Sequence, residues 1–452
     1  MTSHSAVVAR GWGKTCVCGA SALQIDMNAK TLTIDVPEAT NEEGKVVRAA
    51  RKVVLHENDW ISINGDTGEV VHGKQSLKPP SVDRSEDVRT FMGWVDSRRK
   101  LRVLANADSA ADAAEARRNG AEGIGLTRTE HMFFQEDRIN VVRKMILSKD
   151  PAKRQQALDE LLVFQRADFE GILEAMDGLP VTVRLLDPPL HEFLPHGEID
   201  EAFAKEMDMT KEDCKFAIDR MQEVNPMLGL RGCRLGVVIP ELVEMQARAM
   251  IEAALHNKYA RGLNPKLEVM IPLIGSPNEF TNQADIIKAV AAKVFEEHGE
   301  GKFVDVKIGT MIEVPRAALT AQEIAKAGAQ FFSYGTNDLT QMTYGFSRDD
   351  VGSYLPAYFK KGILDKDPFD TIDEAGVGEL INMSAIAGRQ VAKERGNTKF
   401  KAGVCGEHGG DPTSVRFFAK IGLDYVSCSP FRVPLARLAA AQAAIELEKT
   451  GN

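Results

Sequence analysis

This sequence predicts an α/β protein in which a (β/α)8 barrel over residues 95–447 follows a small β-rich domain over residues 1–78. Three observations carry that expectation. Short apolar runs alternate with amphipathic stretches of helical period once the chain passes residue 95. The apolar runs can be counted to eight, the number a closed parallel barrel needs. Their carboxyl ends carry polar and charged residues, as happens where the strands of a parallel fold open onto a ligand mouth. Alternation alone also permits an open doubly wound sheet.

Taken in order, residues 1–78 alternate β-prone runs with turns. The runs are Thr31-Leu-Thr-Ile-Asp-Val, Lys52-Val-Val-Leu and Trp60-Ile-Ser-Ile, the last followed by the turn signal Asn64-Gly-Asp-Thr-Gly. Residues 79–94, which begin after Lys78 with Pro-Pro-Ser and include the charged run Asp83 to Arg89, read as a linker stiffened by two prolines. Barrel strands are expected at Leu101-Arg-Val-Leu-Ala-Asn, Gly123-Ile-Gly-Leu, Val181-Thr-Val-Arg-Leu-Leu, Leu228-Gly-Leu, Leu267-Glu-Val-Met-Ile-Pro-Leu-Ile, Val306-Lys-Ile-Gly-Thr-Met-Ile, Gln330-Phe-Phe-Ser-Tyr and Phe400-Lys-Ala-Gly-Val. Strands buried on both faces read as near-continuous apolar runs. Between the first two, Asp108 to Gly120 offers a polar N-cap, alanine-rich helix formers and a glycine at the C′ position. Pro151 suits the first turn of a helix over residues 150–162. The acidic stretch from Leu190 to Val224 is the largest insertion, and no internal repeat or low-complexity segment interrupts the pattern.

Composition narrows the function classes. Hydrophobic residues at 44% and charged residues at 27% describe an ordinary globular chain. With 56 Lys+Arg against 65 Asp+Glu, the net charge of -9 offers no electrostatic footprint for nucleic acid or an anionic membrane. A small anionic substrate would have to be met by local arginines. No apolar run approaches the roughly 18 residues of a membrane span. The six cysteines are scattered through a long chain, which fits a reducing compartment better than a disulfide framework, and Cys16-Val-Cys18 lacks the further ligands of a zinc site. The sequence begins inside what reads as a functional loop, so the expectation is a fragment of a longer protein. An intracellular setting is expected, cytoplasm or organelle, with no targeting signal to choose between them.

The chemistry-bearing residues cluster at the expected strand ends. Ser333-Tyr-Gly-Thr-Asn-Asp-Leu-Thr-Gln follows an apolar run and is dense in oxygen-bearing side chains. Gly335 lets the backbone approach a ligand, Asn337 can orient a water or a substrate oxygen, and Asp338 offers a hard carboxylate suited to Mg²⁺. The same stretch is also what a capped βα loop looks like, with Asn337 or Asp338 as N-cap. Arg128, Arg184 and Arg231 sit at three other strand ends, and Glu313 follows Gly309-Thr-Met-Ile. Guanidinium forks suit phosphate and carboxylate anions, while Glu313 and Asp338 suit a Mg²⁺ that keeps positions open for substrate. Together they predict a small phosphorylated carboxylic acid as ligand. Cys405 lies in Gly403-Val-Cys-Gly-Glu-His-Gly-Gly, where a thiol can give or take a proton at a reacting carbon. His4 falls beside the first turn of a short expected helix, where amide groups and the helix dipole would favour an anion carried on its ring.

These segments resemble the carboxyl-terminal portion of the pyruvate, phosphate dikinase family. The motifs are Met1-Thr-Ser-His-Ser-Ala-Val-Val-Ala-Arg-Gly, Gly125-Leu-Thr-Arg-Thr-Glu-His-Met-Phe, Arg184-Leu-Leu-Asp-Pro-Pro-Leu-His-Glu-Phe-Leu-Pro, Asn225-Pro-Met-Leu-Gly-Leu-Arg-Gly, Gly335-Thr-Asn-Asp-Leu-Thr-Gln and Gly403-Val-Cys-Gly-Glu-His-Gly-Gly-Asp-Pro. Phosphoenolpyruvate synthase and enzyme I of the sugar phosphotransferase system share the histidine and barrel motifs, but the third and last wordings above look most like the dikinase.

The resemblance implies that residues 1–78 are part of a swivelling phosphohistidine domain and that His4 carries the phosphoryl group. It implies substrate contacts from Arg128, Arg184, Arg231, Gly335, Thr336 and Asn337, Mg²⁺ on Glu313 and Asp338, and a proton donor in Cys405. The family's ATP-binding domain has no counterpart here, so only the phosphoenolpyruvate and pyruvate half-reaction is expected of this chain, with a homodimer formed through the barrel. A phosphoenolpyruvate synthase-like enzyme, or a barrel that binds phosphoenolpyruvate or dimerises without turnover, are the alternatives. Thr2 lies where plant-type relatives carry a regulatory phosphothreonine; a helix-capping threonine is the plainer reading.

Overall fold

In the computed structural model eight parallel strands close into a barrel in chain order, β1 (Arg102–Asn106), β2 (Ile124–Arg128), β3 (Pro180–Arg184), β4 (Lys266–Ile271), β5 (Val306–Ile312), β6 (Phe331–Tyr334), β7 (Lys401–Val404) and β8 (Tyr425–Cys428), with β8 pairing back onto β1. The structure describes residues 9, 14–20, 22–36, 38–40, 46–65, 67–76, 86–195, 197–397 and 399–450. The chain divides into two units, residues 1–82 and 83–452. Closure settles the choice between barrel and open sheet: every strand, β8 included, has a neighbour on each side.

The barrel's local structure follows its punctuation. Ser109 caps the helix Ala110–Arg118 by accepting from the amide of Asp112, and Gly120 just beyond its end takes the left-handed conformation at φ 88°. Asp150 caps the helix Pro151–Ala175, with Pro151 in its first turn. Ser276 and Glu279 form a reciprocal capping box at the helix Pro277–His298. The main core lies between the strands and the surrounding helices. Inside the barrel Leu126, Met270, Met311, Phe331 and Cys405 form a separate small cluster. The expected insertion is also real. Its helices Glu201–Glu206 and Lys211–Met221 bury Ala204, Cys214 and Ile218 against Phe133, Met145, Leu158 and Phe193 in a satellite core.

Two expectations are corrected. Leu228-Gly-Leu is not a strand: Pro226–Leu228 forms one 3-10 turn and Leu228 is 57% exposed, whereas a strand of a closed barrel is buried on both faces. The eighth strand is Tyr425–Cys428, a four-residue run in which Ser427 breaks the apolar reading. The second half of the expected linker is helical, Glu86–Arg98. Glu86 and Asp87 fall in the first turn and Arg98 in the last, complementing the helix dipole, while Asp96 near the far end is paired with Arg99 and Arg437, and Val95 is buried. The boundary between the units falls after Val82, within the expected linker.

The first unit holds a three-stranded antiparallel sheet, Leu23–Asp26, Thr31–Val36 and Arg51–His56 in that order, and two antiparallel ribbons, Ala39–Thr40 with Val46–Arg48 and Ile61–Asn64 with Glu69–His72. The runs read from sequence are all strands here. Among its described residues Leu55 is the one buried hydrophobic side chain, while Ile25, Val54, Trp60 and Ile63 are exposed.

Arg437 of the carboxyl-terminal helix Val433–Thr450 docks the Glu86–Arg98 helix. Its Nε and Nη2 reach the two Asp96 carboxylate oxygens at 3.0 and 2.5 Å, and Nη1 donates to the Asn119 carbonyl at 2.9 Å. Arg437→Ala should lower stability by about 2 kcal/mol, the scale of lost hydrogen bonds to charged partners. A shift of the urea midpoint at constant slope checks this, and an unchanged midpoint would refute the docking role.

Candidate active site

The carboxyl ends of β2, β3, β5 and β6, together with the loops that follow β3 and β7, bring charged side chains to one mouth. Asp187, just past β3, is at its centre. Its Oδ2 lies 2.9 Å from Arg184 Nη1 and 2.5 Å from Arg231 Nη2, and Arg231 Nε donates to Oδ1 at 3.3 Å. Arg184 also pairs with Glu130, and Arg231 Nη2 reaches Asp338 Oδ2 at 3.0 Å. All of these groups are buried or nearly so. Burial opposes the charge on each guanidinium, but Asp187 with Glu130 or Asp338 more than reverses this and holds both arginines firmly protonated. Burial likewise works against Asp187, and Arg184 then Arg231 overcome it, keeping its carboxyl below the usual range.

Glu313, one residue past β5, is only 1% exposed. Its Oε1 accepts from the amide of Leu273 at 2.7 Å. Leu273 adopts φ 60° to present that amide, a conformation costing a side-chain-bearing residue roughly 1 kcal/mol or more. Burial first, then Asp187 and Asp338, push the Glu313 carboxyl well above the usual range, against the pull of Arg231 and Arg184. Three largely buried carboxylates thus crowd one mouth. Glu313 and Asp338 as a pair of oxygen donors fit a hard divalent cation that takes its remaining positions from water and substrate. Among the described residues no group of three or more His, Cys, Asp or Glu side chains forms a metal cage.

β6 ends at Tyr334, and the helix Thr336–Tyr344 starts at once, putting Asp338 in its first turn. Gly335 is required by close approach: a Cβ there would collide with Glu313 and would sit 2.8 Å from Met311 Sδ. The close approach read from the sequence therefore serves Glu313. The Thr336 hydroxyl lies 2.8 Å from His408 Nδ1, and His408 Nε2 lies 2.9 Å from the Pro368 carbonyl. A carbonyl can only accept, so Nε2 carries the proton and Nδ1 accepts from Thr336. Burial lowers the His408 pKa and keeps this ring neutral. Asn337 Oδ1 accepts from the amide of Glu407 at 3.3 Å, joining this helix to the loop after β7.

Cys405 closes the site. It is 1% exposed, its amide donates to the Tyr334 carbonyl at 3.2 Å, and its own carbonyl accepts from Asn106 Nδ2 at 3.0 Å. Burial pushes the thiol up to about 11, with the Ser333 hydroxyl working the other way. At neutral pH this cysteine holds its proton. Arg128, at the end of β2, stands beside the group: Nη1 is 3.8 Å from Asp108 Oδ2, its amide donates to Asp108 Oδ1 at 2.6 Å, and His131 Nδ1 lies 2.7 Å from the same carboxylate. His4 and Thr2 lie outside the described residues.

Reading the sequence missed Asp187, Glu130, Asn106 and His408. Asp187 and His408 stood inside quoted motifs, three residues from Arg184 and from Cys405, and that proximity to a chosen residue was the available signal.

A family model described as PEP-utilising enzyme, PEP-binding domain matches residues 82–445, and one described as PEP-utilising enzyme, mobile domain matches residues 1–68. Among curated proteins, pyruvate, phosphate dikinase 1, chloroplastic, of Arabidopsis thaliana is 55% identical over 448 residues, covering 98% of this chain and 44% of its own length. The chloroplastic pyruvate, phosphate dikinase 1 of Oryza sativa subsp. japonica is 56% identical over 446 residues, with 98% and 44% covered. Pyruvate, phosphate dikinase 2 of Zea mays is 57% identical over 446 residues, with 98% and 48% covered. The chain thus spans about half the length of these relatives. Among the described residues no helix is long and apolar enough to cross a membrane.

Alkylation of Cys405 by iodoacetamide should rise about tenfold per pH unit without a plateau below pH ~10, since the thiolate is the nucleophile. Peptide-resolved mass spectrometry separates Cys405 from the other cysteines. A plateau near pH 8 would mean a thiolate at neutral pH and would overturn the assignment of a held proton.

Proposed function

This chain belongs to the PEP-utilising enzyme family, and from that premise we propose that it performs the phosphoenolpyruvate and pyruvate half of the dikinase reaction, passing a phosphoryl group between His4 and the enolate oxygen of pyruvate. The observation that carries this reading is a buried thiol, Cys405, sharing one mouth with Arg184, Arg231, Glu313 and Asp338. Toward pyruvate, the bond from phosphorus to the enol oxygen breaks as one from phosphorus to the His4 imidazole forms. The electron pair stays on the enolate, and its methylene carbon takes the Cys405 proton. The reverse sequence makes phosphoenolpyruvate.

The residues divide that work. Arg231 and Arg184 present guanidinium groups held in place by Asp187, so a phosphate or carboxylate meets positive charge that is already positioned. Asp338 occupies one Arg231 nitrogen and must share it with the arriving anion. Arg128 adds positive charge at the rim, and Gly335, Thr336 and Asn337 form the wall at the β6 end. Mg²⁺ held by Glu313 and Asp338 would neutralise charge on the phosphoryl and enolate oxygens. A thiol near 11 suits donation to a carbanion and is slow to lose its proton to water at neutral pH. ATP would enter only through a nucleotide-binding domain outside this chain. A phosphate on Thr2 would set like charge beside His4 and oppose its phosphorylation.

Incubation with Mg²⁺ and phosphate-labelled phosphoenolpyruvate should release pyruvate and leave acid-labile label on His4. The label should be absent in His4→Ala and slower to form in Thr2→Glu. Cys405→Ala should retain phosphoenolpyruvate binding but lose pyruvate formation by roughly two orders of magnitude or more, the usual weight of a general acid. Binding without label would point to a barrel that holds phosphoenolpyruvate without turnover, and no binding at all would overturn the substrate assignment.

The raised Glu313 pKa gives a signed pH effect. Below that pKa the carboxyl is neutral and a metal must displace its proton, so Mg²⁺ affinity should rise with pH and binding should release a proton. Calorimetric titration in two buffers of different ionisation enthalpy measures the release. Equal apparent enthalpies in both would exclude Glu313 as a protonated ligand.

A further inference from the structure

A cavity of about 900 Å³ lies at the opposite end of the barrel, among the residues that begin β1, β3, β4, β5 and β7. Seven lysine and arginine side chains line it against three carboxylates, in a chain whose net charge is -9. Two of those carboxylates are already committed. Glu268, 3% exposed, lies 2.5 Å from Lys401 Nζ and 3.7 Å from Lys307 Nζ and accepts from the Thr182 hydroxyl at 2.8 Å. Asp424 pairs with Arg389, outside the lining, at 2.9 Å and accepts from the amide of Ala402 at 2.7 Å. Lys100, Lys266 and Lys399, all exposed, have no carboxylate within 4 Å among the described residues.

Structural lysines at strand starts ordinarily resemble Lys401, which is paired and laid over the rings of Phe331 and Tyr425. The three unpaired lysines line one cavity instead, where their like charge would attract an anion. The other wall is apolar, from Leu267, Val304, Leu423 and Ala440, and includes Phe303, an aromatic ring left 58% exposed. Lys258 holds the Phe303 carbonyl at 2.7 Å and lies 4.8 Å from the centre of its ring. Cationic groups facing an open aromatic surface match a ligand that combines phosphate charge with a flat ring.

We infer that this cavity is a binding site for an organic diphosphate of the nucleotide class, its phosphates met by Lys100, Lys266 and Lys399 and its base by Phe303. The site is remote from the mouth and does not depend on the phosphoryl-transfer reading.

Calorimetric titration of the 452-residue chain with ADP in the absence of metal tests it. One ADP per chain should bind, roughly tenfold more weakly in Lys266→Ala/Lys399→Ala, as expected for losing charge-assisted contacts. Lys100→Glu should weaken it in the same direction, Phe303→Ala should bring ADP down toward the affinity of inorganic pyrophosphate, and Arg231→Ala should leave it unchanged. Circular dichroism melts of these variants separate lost binding from lost folding. No saturable binding to the unaltered chain, or an affinity that survives the lysine changes and falls in Arg231→Ala, would overturn the inference.

Discussion

The buried carboxylate of Asp187 is the contact on which the mouth depends. An ion moved from water into a protein interior costs several kcal/mol even after relaxation, and a lone guanidinium there would be untenable. Asp187 takes two of them, Arg184 from the end of β3 and Arg231 from the loop that returns after the insertion. Its backbone carbonyl also accepts from the amide of Gly232 at 2.9 Å. The segment wrongly expected as a strand is therefore followed by residues pinned to the barrel by side-chain charge and by backbone bonds from the amides of Gly232 and Cys233. That is how Arg231 reaches the site without belonging to the sheet.

Pairing is incomplete on the acidic side, and this gives the mouth its chemical character. Arg184 and Arg231 each have two carboxylate partners, while Glu313 has no arginine within salt-bridge distance among the described residues and accepts from the amide of Leu273. A carboxyl so placed is driven toward its neutral form unless positive charge arrives. The fold stores that need in rigid parts: a strand end, a left-handed leucine and a glycine whose lack of a side chain makes room. Donors and acceptors fixed before a ligand arrives need no reorganisation when charge develops on it.

Much of the barrel was legible because burial on both faces writes strands as apolar runs, and β4, β5 and β6 stand in the sequence as such. β8 was not legible, since four residues with a serine among them resemble many loops, and it becomes a strand only because β7 and β1 leave a gap of one strand between them. Leu228-Gly-Leu failed for the converse reason: three apolar residues carry no information on whether anything covers them. In the site, residue types with an evident task could be picked out, namely arginines, the lone thiol and the carboxylates at strand ends. Asp187, Asn106 and His408 could not, because their task is to hold other residues. Asn106 is typical: it joins the Cys405 carbonyl to the Ser427 hydroxyl, a contact between β1, β7 and β8 that exists only after closure.

The interior between the two ends of the barrel explains how opposite chemistries coexist in one short cylinder. Lys401 rises from the floor and lies 5.4 Å from the ring centre of Phe331 and 5.1 Å from that of Tyr425, and Phe331 packs in the same small cluster as Cys405. Aromatic rings and methionines thus fill the space between a lysine-lined floor and a carboxylate-rich mouth. An unfilled barrel would admit water, stabilise a thiolate and let the two ends screen one another. A packed one keeps the field of each end local and makes burial the first cause of the high Cys405 pKa. The thiol holds its proton because the barrel is full.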